Sequence, residues 1–244
     1  MTEIGPLVEL DTVPPWLRPL VQVSDTLDSK AFTRLSPPAG MVTRPAAVLI
    51  LLGERVSGPD VLLLRRADTL GSHAGQVAFP GGGADEGDGG PVGTALREAE
   101  EETGVDPAGV RPLAILPELF VPVSRFSVTP VLAHWEKSSP VRAVDFGETA
   151  SVARVAIADL VDPANRFQIT KLGTGYRGPA FSVDGMFVWG FTAGLLSALL
   201  SLGGWEREWD RDDVRDLDVA LSDHEARVAA TLEAERDEQG VEPP

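Results

Sequence analysis

The sequence predicts an α/β fold in which helices pack on both sides of a central mixed β-sheet. Two apolar runs, residues 46–53 and 61–64, are bounded by turn residues and indicate buried strands joined by a hairpin. Residues 91–103 suit a helix, because proline begins the segment, alanine and leucine fill it, and glycine follows it. Residues 186–202 are mostly apolar and predict a core helix. This order of elements fits two helical layers around a mixed sheet.

The remaining elements are predicted from shorter patterns. Further strands are expected at 76–79, 110–116, 128–135, 166–171 and 180–183, and a helical turn at 157–161. Residues 1–45 are expected to pack on the domain as an extension, with a short helix at 16–23 that is kinked at Pro19. The main domain is predicted over 46–203. An acidic tail then covers 204–244, with one helix from about residue 223 to 236.

Composition narrows the class of protein. The chain has 244 residues, of which 43% are hydrophobic, a length and content typical of one large globular domain. It contains no cysteine, which excludes a disulfide framework, a thiolate nucleophile and a cysteine-based zinc site. Apolar runs are too short to span a membrane, and the acidic, proline-broken N-terminus is unlike a secretory signal. These features fit a cytoplasmic protein without a membrane partner.

The net charge of −16 argues against a nucleic-acid partner, since binding a phosphate backbone needs a basic face. An anionic small molecule can still bind where metal ions and a few basic side chains gather. The basic candidates for such contacts are Arg65, Arg66, Arg125, Arg166 and Lys171.

The strongest chemical pattern lies in residues 79–105. A glycine-rich turn (Gly81, Gly82 and Gly83) and an acidic loop precede the predicted helix 91–103. At about 100° per residue, Glu98 and Glu102 lie one turn apart on the same helix face, with Glu101 beside them. Such carboxylates repel each other until a cation joins them, and Mg²⁺ prefers carboxylate, phosphate and water oxygens. We therefore expect a Mg²⁺ site that holds a diphosphate, with Mn²⁺ as an alternative metal.

This stretch resembles the Nudix box, G-x5-E-x7-R-E-U-x-E-E-x-G-U, where U is a bulky apolar residue. The matching residues are Gly83, Arg97, Glu98, Glu101, Glu102, Gly104 and Val105. Two positions depart: Ala99 is small for U, and Gly89 stands where the box has its first Glu, one residue after Asp88. The resemblance implies a Nudix α/β/α sandwich, a metal-dependent pyrophosphohydrolase, and a homodimer as one form of assembly.

Residues 62–82 resemble the signature of the coenzyme A pyrophosphatase branch of Nudix hydrolases, L-L-T-x-R-S-x3-R-x3-G-x3-F-P-G-G. The matching residues are Leu62, Leu63, Arg66, Gly75, Phe79, Pro80, Gly81 and Gly82. Leu64, Ala67 and Gly71 replace the Thr, the Ser and the second Arg. The implied reaction cleaves coenzyme A or an acyl-CoA to 3′,5′-ADP and (acyl-)4′-phosphopantetheine. ADP-ribose or NADH as substrate, or a nucleotide-binding protein with weak catalysis, are the alternatives, and Gly89 favours the last.

The pattern and the resemblance together assign site residues. The metal ligands are Glu98, Glu101 and Glu102, the catalytic residues are Arg97, Glu98 and Glu101, and the substrate contacts are Arg66, Phe79, Gly81, Gly82 and Gly83. Arg97 is expected to reach Glu101 at i+4 and to orient the carboxylates. Further candidates are Asp88 for the missing Glu, Ser124 and Phe126 on the substrate side, and Glu148 in a later loop. The general base stays open between Glu98, Glu101 and Glu148.

Overall fold

The computed structural model describes residues 4–33, 35–71 and 73–238, and this part of the chain forms thirteen strands and five α-helices. The strands are β1 (Gly5–Pro6), β2 (Arg44–Arg55), β3 (Gly58–Arg66), β4 (Val77–Ala78), β5 (Gly81–Gly83), β6 (Val110–Ile115), β7 (Leu119–Val121), β8 (Phe126–Trp135), β9 (Thr149–Ala156), β10 (Arg166–Lys171), β11 (Tyr176–Val183), β12 (Met186–Val188) and β13 (Val214–Asp216). The helices are α1 (Arg18–Val23), α2 (Pro91–Thr103), α3 (Ile157–Leu160), α4 (Gly190–Leu202) and α5 (Leu217–Glu238).

Nine of the described strands form the central sheet, in the order β1-β6-β8-β2-β3-β4. Strand β5 also pairs with β2, β7 with β8, and β9 with β3. The sheet is mixed, because β2 and β8 run parallel whereas β2 and β3 form an antiparallel hairpin. The long strand β2 therefore lies at the centre and holds β5 and β3 along the same edge.

The central sheet is buried on both faces, which explains why its inner strands are continuous apolar runs rather than alternating ones. On one face Leu49, Leu51 and Leu62 pack against Ala95 and Ala99 of α2. On the other face a larger core includes side chains of α1, α3 and α4. The predicted arrangement of helices around a mixed sheet is confirmed.

A second sheet forms after the central one, with the order β12-β11-β10-β13 among the described residues. Its inner face joins the core around α4 through Phe181, Val183 and Val188. Its outer face packs Phe167 and Ile169 against α5. Strand β13 and helix α5 belong to the predicted tail, so the first part of that tail completes this sheet and its outer core.

Several predicted elements differ from the structure. Pro19 does not kink a helix; it lies in the first turn of α1, where its missing N–H costs no hydrogen bond. The apolar segment after residue 185 is not one helix, since β12 ends at Val188 and α4 begins at Gly190. Strands β7 and β9 were not predicted. The tail helix is longer than predicted and spans Leu217–Glu238.

None of the described helices is long and apolar enough to cross a membrane.

Candidate active site

The predicted glycine turn is in fact a short strand, β5, which pairs with the start of β2. Gly81 has φ +157°, and a Cβ atom there would collide with the backbone of Ala47 and Val48. At Gly82 an added Cβ would lie 2.5 Å from the carboxyl group of Glu98. Glycine therefore lets β5 lie close to β2 at Gly81 and lets the Glu98 carboxylate lie directly on the strand at Gly82.

Glu102 is the deepest of the carboxylates, with a relative exposure of 6%. Its Oε2 accepts a hydrogen bond of 2.9 Å from the backbone N–H of Gly81, and its Oε1 lies 3.5 Å from Nη1 of Arg66. Burial raises the pKa of Glu102 to about 7, although the Gly81 N–H and the Arg66 charge oppose this shift. The glycine strand, the end of β3 and helix α2 thus meet at this one side chain.

Arg97 connects the acidic side chains to the glycine strand. Its Nη1 lies 3.1 Å from Glu98 Oε1 and donates to Glu101 Oε2 at 3.0 Å. Its Nη2 donates to the Gly83 carbonyl oxygen at 3.0 Å, and its Nε donates to Asp88 Oδ1 at 2.9 Å. The predicted i,i+4 contact between Arg97 and Glu101 is therefore present.

Asp88 does not lie among the metal-ligand candidates. It accepts a hydrogen bond from Nε of Arg97, whereas Nη1 of Arg97 faces Glu98 and Glu101. It also accepts hydrogen bonds from the Thr94 hydroxyl at 2.7 Å and from the Asp85 N–H at 2.9 Å. The hydrogen bond from Arg97 holds the pKa of Asp88 well below its usual range, and the bonds from Asp85 and Thr94 add to this effect. The loop before α2 and the helix are thereby fixed to each other. The sequence analysis did not identify Thr94, because no local pattern indicates its hydrogen bond with Asp88.

The other two carboxylates of the helix differ in exposure. Glu98 is mostly covered, and burial raises its pKa while the charge of Arg97 lowers it. The Glu101 side chain is 60% exposed and reaches the network through Arg97. Glu100 points into solvent, as the helical periodicity predicts.

Glu148 lies on an exposed loop that is tied to the end of α2. The loop donates N–H groups from Arg142 to the Thr103 carbonyl at 3.0 Å and from Val144 to the Glu102 carbonyl at 3.3 Å. The Glu148 carbonyl in turn accepts from the N–H of Ala67 at 2.8 Å. This places the Glu148 charge close enough to Glu102 to raise its pKa.

The remaining predicted contacts divide between the site and the core. Phe79 is buried at 2% exposure in the main apolar cluster, where its side chain packs rather than lines an open surface. Ser124 lies in the turn before β8 and Phe126 begins that strand, where its ring faces Gly83 and contacts the guanidinium of Arg44. Arg44 was not singled out from the sequence.

Three of the basic side chains proposed from the sequence are engaged elsewhere. Arg166 is enclosed in the second sheet and pairs with Glu206. Lys171 lies by Trp189, also in the second sheet, and Arg65 pairs with Asp68. Arg66, by contrast, contacts Glu102 of the carboxylate cluster.

Within the described ranges, no three carboxylate, imidazole or thiol groups converge as a ready set of metal ligands. The ion pairs explain this, because Arg97 holds Glu98 and Glu101 to one side while Arg66 faces Glu102. The site is thus a set of oxygen donors at the edge of a glycine strand, balanced by two guanidinium groups.

Comparison with known proteins agrees with this geometry. The NUDIX domain family matches residues 42–172. The chain is 37% identical over 158 residues to proteins called uncharacterized Nudix hydrolase NudL, from Cronobacter sakazakii and Escherichia coli K12; the match covers 64% of this chain and 81% of each relative. The crystal structure of a Nudix hydrolase from M. smegmatis, RenU, aligns with a TM-score of 0.46 and 18% identity, over 71% of this chain and all of that one. The chain belongs to the Nudix hydrolase family, enzymes that act on diphosphate bonds of nucleoside diphosphate derivatives.

Proposed function

We propose that this Nudix enzyme hydrolyses the diphosphate of coenzyme A or an acyl-CoA, giving 3′,5′-ADP and (acyl-)4′-phosphopantetheine. The observation that supports this most is the contact between Arg66 and Glu102. Arg66 comes from the segment that resembles the coenzyme A pyrophosphatase signature, and Glu102 comes from the Nudix box. The two patterns therefore describe one site rather than two separate matches.

Nudix hydrolases generally use divalent metal cations, and the residues present fit Mg²⁺, or Mn²⁺ in its place. The donors are all oxygen atoms, as Mg²⁺ prefers. The absence of a Cβ at Gly82 leaves the room that the Glu98 carboxyl group occupies. Glu98 and Glu102 would hold the metal, with Glu101 as the third ligand. When bound, the metal ion would neutralise charge on the phosphoryl oxygens and lower the pKa of a coordinated water.

The protein's own groups bind and orient the diphosphate. The Arg66 side chain is 28% exposed and its Nη1 lies 3.5 Å from Glu102, so the guanidinium can donate to a phosphate oxygen bound next to the carboxylates. Gly81, Gly82 and Gly83 allow the diphosphate to approach the backbone closely. Arg97 keeps the carboxylates in place from the opposite side.

In the reaction, water attacks one phosphorus, the bond from that phosphorus to the bridging oxygen breaks, and the second phosphate leaves with the electron pair. A carboxylate must take the proton of the water. Glu98, Glu101 and Glu148 stand as candidates for this base. Glu148 is exposed and near enough for its charge to raise the pKa of Glu102, whereas Glu98 and Glu101 are held by Arg97.

A substrate panel with purified protein tests the assignment. We expect a higher kcat/KM for coenzyme A than for ADP-ribose or NADH under the same Mg²⁺ concentration, and no turnover with EDTA. A clear preference for ADP-ribose or NADH would keep the Nudix chemistry and reject coenzyme A. Absence of turnover with every substrate, together with measurable nucleotide binding, would favour the weakly catalytic alternative.

The proposal also includes features that depend on the family resemblance. We propose that the protein works in the cytoplasm, as a homodimer, on a small nucleoside diphosphate substrate and without nucleic acid. The division into residues 1–45, 46–203 and 204–244 stays a prediction. Size-exclusion chromatography with light scattering measures the assembly directly.

A further inference from the structure

Strand β5 is open at Gly83, on the side away from α2. Gly83 pairs with Ala46 and alternates with Gly82, whose Cβ position faces Glu98, so Gly83 lies on the opposite face of the sheet. A Cβ added at Gly83 would have one neighbour within 4 Å, the Cε1 atom of Phe126 at 3.9 Å. The strand is partly exposed along its whole length. Gly83 therefore leaves room beside the ring of Phe126, two residues along β5 from Gly81, whose N–H holds the Glu102 carboxylate.

Arg44 lies on this ring. Its guanidinium carbon is 4.3 Å from the centre of the Phe126 ring, and its Nη2 donates to the Ser124 carbonyl at 3.0 Å. Arg44 and Phe126 are paired across β2 and β8, which puts both side chains on the same face of the sheet. The ring and the carbonyl fix the position of the guanidinium, and Arg44 is exposed to solvent.

The positive charge of Arg44 is not balanced by an ion pair within the described structure. The described chain gives it no carboxylate partner, although the protein carries a net charge of −16. By contrast, Arg55, Arg66 and Arg97 all form ion pairs. A planar guanidinium that is fixed in position and lacks a counter-charge is well suited to bind a phosphate.

The distance along the strand fits a nucleotide. At about 3.3 Å per residue, Gly83 lies about 7 Å from Gly81, and Phe126 and Arg44 lie one side chain further. A nucleoside that extends from a diphosphate at the carboxylates would reach this far. We propose that Arg44, held by Phe126, binds a phosphate that the substrate carries on its nucleoside, beyond the diphosphate that is cleaved. This inference rests on the proposed function and names the group that determines specificity at that site.

The test compares two substrates that differ by this phosphate alone: coenzyme A and its form without the ribose 3′-phosphate. Arg44→Ala should lower kcat/KM for coenzyme A about 10- to 100-fold, as expected for a charge-assisted hydrogen bond, and change the other substrate little. Arg44→Lys keeps the charge but not the planar guanidinium, so its kcat/KM for coenzyme A should lie between those of the wild type and Arg44→Ala. Arg177→Ala is the matched control, because Arg177 is also exposed and donates to a backbone carbonyl, that of Arg211. It should leave both substrates unchanged.

Calorimetry separates this inference from the hydrolysis itself. The wild-type protein should bind 3′,5′-ADP more tightly than 5′-AMP, and Arg44→Ala should remove that difference. Phe126→Leu keeps an apolar side chain but removes the ring, and should reduce the difference as well.

An equal effect of Arg44→Ala on both substrates, or equal binding of the two nucleotides by the wild type, would overturn the inference. If the wild type cleaves neither substrate but binds 3′,5′-ADP through Arg44, the proposed reaction is wrong and the phosphate contact stands.

Discussion

Arg97 and Arg166 carry the same type of side chain but lie in different parts of the molecule, the candidate active site and the second sheet. The Arg97 side chain is 26% exposed and contacts carboxylates on α2 and on the preceding loop. The Arg166 side chain is fully enclosed, with one carboxylate, Glu206, at 3.2 Å. The rings of Phe181 and Trp209 lie 5.1 and 4.5 Å from its guanidinium carbon.

The two networks differ in whether a cation can replace the arginine as a partner of the carboxylates. Around Arg97 every partner is a hydrogen-bond acceptor near the surface, so a cation can compete for Glu98 and Glu101 at moderate cost. Around Arg166 burial lowers the pKa of the guanidinium, opposed by the charge of Glu206, and two of its nitrogens find no partner in the described structure. Removing one member of such a buried pair is costly, because the other charge stays behind. The first network suits a site that binds charge, and the second suits the stability of the second sheet.

The largest expected effect separates function from stability at the carboxylates. Glu98→Gln and Glu102→Gln should each lower turnover about 10²- to 10³-fold, because each removes charge that faces the proposed metal and phosphate. Glu100→Gln is the control on the same helix and should not change turnover. Near-normal rates in both site variants would exclude the proposed cluster.

Glu102→Gln should also change the pH dependence of stability in EDTA. The pKa of Glu102 is raised to about 7 in the folded state, so ionisation costs stability as pH rises from about 4.5 to 7. The variant lacks this cost and should therefore melt at a higher temperature than the wild type above pH 7. Near pH 4, where Glu102 is protonated in the wild type, the two melting temperatures should converge.

Exchanging each arginine for methionine tests the comparison directly. Arg166→Met should lower the free energy of unfolding by about 3 kcal/mol and leave kcat of the folded protein unchanged. Arg97→Met should do the reverse, with a large loss of turnover and a smaller loss of stability. Denaturant titration and initial rates on the same preparations measure both quantities. Parallel losses in both variants would mean that the two networks do not differ in role.

The fit between β5 and α2 gives a fourth prediction. Gly82→Ala would place a methyl group 2.5 Å from the Glu98 carboxyl group and should displace it, with a loss of turnover of about 10²-fold. Gly194 in α4 has open space around its Cβ position, so Gly194→Ala is a control that should keep full activity. If Gly82→Ala is as active as wild type, close packing on the glycine strand is not required.

Asp88 tests how far the support of Arg97 matters. Asp88→Asn keeps the shape but removes the charge that holds Arg97, and should lower turnover about 10-fold. Asp85 is exposed and lies 3.6 Å from Arg97, and Glu86 is exposed, so Asp85→Asn and Glu86→Gln should have little effect. Gly89→Glu should not raise the rate, because Asp88 already accepts hydrogen bonds from the guanidinium of Arg97. Activation by Gly89→Glu with a silent Asp88→Asn would instead indicate that a box residue has been lost.

The smallest effect concerns the second sheet and pH. Burial lowers the pKa of His224, whose ring nitrogens bond to Ser182 at 2.9 Å and to the Gly185 carbonyl at 3.0 Å. The Gly185 bond and Glu225 oppose the shift, whereas Arg227 and Arg65 add to it.

The folded state thus takes up a proton less readily than the unfolded state. The contribution of neutral His224 to the free energy of unfolding is therefore fully present above about pH 6.5 and decreases as the pH is lowered. The decrease in unfolding free energy from pH 7.5 to 5 should be larger in wild type than in His224→Gln. Identical decreases would contradict this role.

Local patterns in the sequence determined the elements whose shape depends on neighbours in the chain. Helix α2 begins and ends where its proline and glycine predict, and β10 spans the predicted residues. The contact of Arg97 with Glu101 also follows from helical spacing alone. In each case the interacting groups are a few residues apart, so helix geometry or strand pattern fixes their positions.

Tertiary structure decided the rest, because the partners are distant in the sequence. The glycine segment becomes a strand only because β2 offers it hydrogen-bonding partners. Arg66 reaches Glu102, and Arg44 reaches Phe126, through the register of strands that no local pattern encodes. Gly190 begins α4 after a strand that pairs with β11, where apolarity alone predicts one longer helix. Strand pairing and burial follow from long-range contacts, whereas composition and spacing report only what each segment is able to form.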